Sequence, residues 1–105
     1  MISKTKKIDG NIGLTAYDRL IIYDVPDSSD ETLYYMSDKI LSGTPILANF
    51  SNVDVNQINL MLSFLSGVVY AKQGRTRKFR KFLFLFGGKE EFEDGSLDKF
   101  YEDYR

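Results

Sequence analysis

The sequence predicts an α/β (α+β) two-layer sandwich with the element order β-α-β-α-β-β. The observations behind this are apolar, β-branched and aromatic runs of strand length, intervening segments with helical spacing of apolar residues, and Gly or Pro at most junctions. A chain of 105 residues forms one core, burying roughly 60 to 68% of its unfolded surface.

Residues 1–18 carry Lys4, Lys6 and Lys7 with Gly10 and Gly13 and no regular apolar period, which predicts a flexible basic arm ahead of a folded unit at residues 19–88. Residues 20–25, LIIYDV, predict the first strand, stopped by Pro26 and Asp27. Ser28, Ser29 or Asp30 then caps a helix with Leu33, Met36, Ile40 and Leu41 on its buried face, closed by Gly43 and Pro45. Residues 45–50 predict the second strand, with the proline tolerated at its first position. Asp54 and Gln57 form a capping pattern for a long helix whose core stripe is Ile58, Met61, Leu62, Leu65, Val68 and Val69. That helix is expected to fray near Lys72 and end at Gly74. Residues 75–79 and 82–86 predict a hairpin with Arg80 and Lys81 at the bend, although neither Gly nor Asn is present there. Gly87 and Gly88 end the pairing. Residues 89–105 read as an acidic tail, with a short helix over 97–104 that places Leu97, Phe100, Tyr101 and Tyr104 on one face.

Residue types exclude much chemistry. There is no cysteine and no histidine, so thiolate catalysis, the usual zinc sites and Ser-His or Cys-His nucleophiles cannot be assembled. No glycine-rich phosphate loop is present, and no cofactor is expected. The formal net charge of −1 argues against a strongly basic nucleic-acid binder. No apolar run is long enough to cross a bilayer, and the missing cysteine fits a cytoplasmic protein.

The last strand alternates Phe82, Phe84 and Phe86 on one face with Leu83 and Leu85 on the other. A single layer of two helices covers one sheet face only, and each exposed apolar side chain forgoes about 1.5–3 kcal/mol of burial. The other face, assigned Phe82 and Phe86, is therefore expected to pair with a second copy of the chain.

Arg75, Arg77, Lys78, Arg80 and Lys81 crowd one segment beside Phe79 and Phe82. Cations among aromatics suit a nucleic-acid surface, which is the alternative function for residues 75–81. They equally suit a charge-protected sheet edge. A third use is a cradle for an acidic peptide, with Phe84 as apolar anchor and Lys78 as electrostatic complement. Gly67, inside the long helix, costs about 1 kcal/mol relative to alanine. Close packing on the sheet beneath is the favoured explanation from the residues alone; close approach of another helix from outside is the alternative.

Phe64-Leu65-Ser66-Gly67, Val69-Tyr70-Ala71, Gly74, Lys78-Phe79 and Phe84-Leu85 resemble the SepF family of bacterial cell-division proteins, over residues 20–86. The resemblance implies a cytoplasmic, non-enzymatic adaptor at the division site. It implies a homodimer joined through its sheets that binds the C-terminal peptide of the tubulin-like protein FtsZ, with dimers assembling further through their helices. Lys78 and Phe84 match the family's partner-peptide positions, and Gly67 matches its small residue at the helix-mediated contact. Family members usually begin with an amphipathic membrane helix and a linker. The short lysine-bearing arm here implies weak or indirect membrane contact. Arg80 and Phe82 stand where the family's last turn typically carries Gly and Asn.

Overall fold

The computed structural model describes residues 14–105. The arm expected at residues 1–18 lies outside the described residues as far as residue 13. Within them run α1 (Ala16–Arg19), β1 (Ile21–Asp24), α2 (Asp30–Leu41), β2 (Ile46–Asn49), α3 (Val55–Ala71), β3 (Arg75–Arg80), β4 (Leu83–Gly87), α4 (Lys89–Phe92) and α5 (Ser96–Tyr104).

The strands form one mixed sheet in the order β1-β2-β4-β3. β1 and β2 are parallel, as a crossover through α2 requires, and the other pairings are antiparallel. β1 and β3 are therefore the edges. The starts of α2 and α3 are set by side-chain caps. The Ser29 hydroxyl accepts from the Thr32 N–H at 3.2 Å, and Asp54 accepts from the Asn56 N–H at 3.0 Å, contacts worth about 1 kcal/mol each. Thr32 in turn donates to Asp27 at 2.6 Å, and this bond, ahead of those from Ser29, holds the Asp27 carboxyl below its usual range.

α3 ends differently from its expected glycine stop. The left-handed residue is Gln73 (φ 53°), with its N–H donating to Tyr70 O at 2.8 Å and the Gly74 N–H to Val69 O at 2.9 Å. This is the paired bonding of a Schellman motif. Gly74 serves another purpose: a Cβ there would run into the Gly87 carbonyl oxygen. The hairpin after it also shifts. β3 continues to Arg80, the turn falls on Lys81 and Phe82, and the register slips between Lys78 and Arg80 so that Phe79 is an extra residue. With no Gly or Asn to take a positive φ in the turn, the bulge absorbs the twist.

Each sheet face has its own core. Val25, Met36, Ile40, Ile46, Ala48, Phe50, Ile58, Met61, Leu65, Val69, Phe84 and Phe86 fill the space between the sheet and the pair α2 and α3. Phe50 meets Phe84 and Phe86 edge-on, at 5.8 and 6.3 Å between ring centroids. On the opposite face Leu47 and Leu85 pack with Ala16 of α1, Phe92 of α4 and Leu97 of α5.

That second core corrects the expected layering. Residues 89–105 are not a solvated tail but helices that cover the sheet face left open by α2 and α3, and residues 16–19 are helical and docked rather than part of an arm. Phe86 is fully buried and Phe82 is packed against the α2 and α3 core, so neither belongs to the uncovered face imagined for a second copy. The expected alternation holds, with the leucines Leu83 and Leu85 facing the other way, against the chain's own α4 and α5 region. Leu41, expected inside, is exposed at the end of α2.

The chain's two described ends are tied together. The Asp94 carboxylate accepts from the Ala16 N–H at 2.9 Å and from the Ser96 N–H and hydroxyl at 2.9 and 2.7 Å. The Ser96 hydroxyl oxygen accepts from the Tyr17 N–H at 3.0 Å, and Tyr17 meets Phe100 at 5.1 Å. Burial alone would raise the Asp94 pKa. The hydrogen bonds from Ser96 and Ala16, with the Arg19 charge, outweigh it and hold the carboxyl below its usual range.

Candidate partner-binding site

β3 sits at the sheet edge with alternate side chains on opposite faces. Arg75, Arg77 and Phe79 turn toward α5: Asp98 lies 3.4 Å from Arg75 and 3.6 Å from Arg77, and Phe79 packs on Phe100. Lys78 turns the other way. It pairs in register with Phe84 of β4, and its Nζ stands 6.0 Å from the centre of the Phe84 ring. Lys78 is exposed, whereas Phe84 is 8% exposed, edge-on to Phe50 and stacked with Phe86.

The two residues named for a partner peptide are thus brought together. One supplies a cation with no ion pair among the described residues, the other an aromatic ring at the border of the core. Lys81 similarly stands 5.3 Å over Phe82. A positive charge above an aromatic face beside apolar surface suits a peptide with a carboxylate and an apolar side chain. The basic segment does not form a continuous stripe, because Arg75 and Arg77 are spent on Asp98 on the far face. This division puts Arg75 and Arg77 on a different face from Lys78.

Gly67 lies elsewhere, on the outward surface of α3. It is exposed, and a Cβ built there meets nothing within 4 Å. Packing on the sheet therefore does not explain it. Leu60, Phe64, Gly67 and Ala71 recur at helical spacing on this outer side and are all exposed. Tyr34 of α2 borders them, with its ring 6.5 Å from Phe64. This second surface is apolar and bare at its middle.

Among the described residues no group of three or more Asp or Glu is placed to hold a metal ion. No helix there is long and apolar enough to cross a membrane. Tyr101, Asp98 and Phe100, which grip β3 from behind, are functional candidates that the residues alone did not single out. The signal was present in the shared face of Leu97, Phe100 and Tyr101, which needed an apolar surface to cover.

Fold and site define a small α/β sandwich with a charged, aromatic edge strand on one side and a bare helix face on the other. The profile described as Cell division protein SepF matches residues 21–87, and the chain belongs to the SepF family of cell division proteins. It is 26% identical over 100 residues to the cell division protein SepF of Carboxydothermus hydrogenoformans, covering 90% of this chain and 72% of that protein. The SepF of Natranaerobius thermophilus is 27% identical over 92 residues, covering 79% of this chain and 55% of its own length. That of Lactobacillus johnsonii is 24% identical over 92 residues, with 88% and 62% covered. The chain spans 55 to 72% of the length of these relatives.

Proposed function

We propose that this chain is a non-enzymatic adaptor that acts as a homodimer at the cytoplasmic division site, binds the C-terminal tail of an FtsZ-type filament protein and reaches the membrane only weakly or through another protein. The supporting observation is Lys78 standing beside Phe84 at the sheet edge with no carboxylate partner among the described residues. Lys78 attracts the acidic part of the tail, and the border of Phe84 receives an apolar side chain. Because both sheet faces are filled by the chain's own helices, the dimer contact is assigned to α2 and α3, with Gly67 allowing close approach between Phe64 and Tyr34 of the two copies.

The test is a calorimetric titration of the full chain with a synthetic tail peptide. Saturable binding is expected, weakened at least about tenfold by Lys78→Glu, which removes one charge contact and adds a repulsive one. Phe84→Ala empties a core position and costs about 3–5 kcal/mol of stability, so Phe84→Leu is the informative partner variant. No binding by the wild-type chain would refute the adaptor reading.

A further inference from the structure

We propose that α5 is a positioning element of the β3 binding edge, with Tyr101 as its central residue, an inference that rests on the tail-peptide reading and deepens it. An edge strand has a hydrogen-bonded neighbour on one side only, and a bulge loosens it further. β3 combines both, with its register slip at Phe79 next to Lys78. Something else must fix the direction in which Lys78 leaves the strand.

α5 supplies that constraint from the opposite face. The Tyr101 hydroxyl donates to the Lys78 carbonyl oxygen at 3.2 Å. Its ring meets Phe79 edge-on at 5.1 Å, and the Arg77 guanidinium lies 5.5 Å above it. Phe100 holds the Phe79 ring from a further side at 5.1 Å. Tyr101 therefore touches three successive residues of the bulged segment at once.

Because neighbouring side chains on a strand point to opposite faces, gripping Arg77 and Phe79 from one side sets the emergence of Lys78 on the other. Arg77 shows that this grip is not tuned for its own stability. Its Nε is buried with no acceptor among the described residues, a cost that buried donors rarely carry, while its guanidinium stays over Tyr101 and beside Asp98. The ion pairs to Asp98 also withdraw Arg75 and Arg77 from competition for an acidic ligand. The cations left on the Phe84 side are then Lys78, beside Phe84 itself, and Lys81, over Phe82.

The experiment compares the full wild-type chain with Tyr101→Phe, Tyr101→Ala and the control Tyr104→Ala, which touches Phe100 but makes no described contact with β3. Affinity for the synthetic FtsZ-type tail peptide and amide hydrogen exchange at residues 78–81 are both measured. Tyr101→Ala is expected to weaken binding about tenfold and Tyr101→Phe about threefold, in the range of one lost hydrogen bond and its packing. Exchange at residues 78–81 should quicken in both while β1 is unchanged, and Tyr104→Ala should match the wild type. Equal weakening by Tyr104→Ala, or wild-type affinity in Tyr101→Ala, overturns the proposal. If the wild-type chain does not bind the peptide, the adaptor reading fails on its own. The grip on β3 is then upheld by faster exchange in the Tyr101 variants and overturned by unchanged exchange.

Discussion

Gly74 passes so close to Gly87 that a Cβ on the former would meet the carbonyl oxygen of the latter. The contact locks the end of α3 against the end of β4, two segments joined through β3. Gly74→Ala is expected to lower stability by about 2–4 kcal/mol, since the obstacle is backbone and cannot rotate away. One position earlier the sign reverses. Gln73 holds a positive φ, so Gln73→Gly should stabilise by about 0.5–1 kcal/mol. Thermal unfolding of both variants checks the pair of outcomes, and a stable Gly74→Ala protein would contradict the close approach.

Gly67 offers a way to separate folding from the proposed assembly. With open space around its missing Cβ, Gly67→Ala should raise the stability of the isolated chain by about 0.5–1 kcal/mol through helix propensity. Gly67→Lys places a charged stem on the outer face of α3 and is expected to shift the protein toward monomer. Light scattering across micromolar concentrations, read beside the melting temperature, distinguishes these effects. A lysine variant with undiminished dimer mass would move the interface away from this helix face.

Asp94 links pH to the closure of the two described ends. Its carboxyl has a lowered pKa in the folded chain, so its contribution is present above the unfolded value and is lost as pH falls through the folded one. Melting temperature should therefore drop on acidification below about pH 4. Asp94→Asn should melt lower than wild type at pH 7, with the gap narrowing at acid pH. A constant gap at all pH values would mean that the charge of Asp94 is not what holds Ala16 and Ser96.

The cover on the second sheet face is testable by exposing it. Leu97 is fully buried between α5 and the sheet, and Leu97→Asp should displace α5 and leave Leu47, Leu83, Leu85 and Phe79 wet. Self-association is the expected consequence, seen as a rise in mass by light scattering and a lower melting temperature. A monodisperse variant of unchanged mass would show that the cover is dispensable.

Much of the fold was legible because period and punctuation agreed. The apolar stripe of Ile58, Met61, Leu65 and Val69, the alternation of Phe84 with Leu85 and the stop at Pro26 each point to one local structure. What failed were decisions about partners in space. Leu85 needs an apolar neighbour, and nothing local says whether Leu97 of the same chain or a second copy provides it. The sequence places Leu97 and Phe100 on one helical face, but the tail's charge concealed that this face, with Phe92, covers the sheet. Gly67 and Gly74 were both read by helix rules, yet one faces open space and the other faces backbone. For the candidate site, the sequence singles out Lys78 and Phe84, which pair across β3 and β4, while Tyr101 meets Lys78 through a contact 23 residues away in sequence.

The Asp94 tie to Ala16 has an architectural result. Since α1 and the start of α5 are fastened on the side of the sheet away from α2 and α3, the first and last described helices form one wall of the sandwich. In the proposed pairing through helix faces, that wall would look outward on both copies, so a change confined to α1 or α5 would weaken each copy without touching the contact between them.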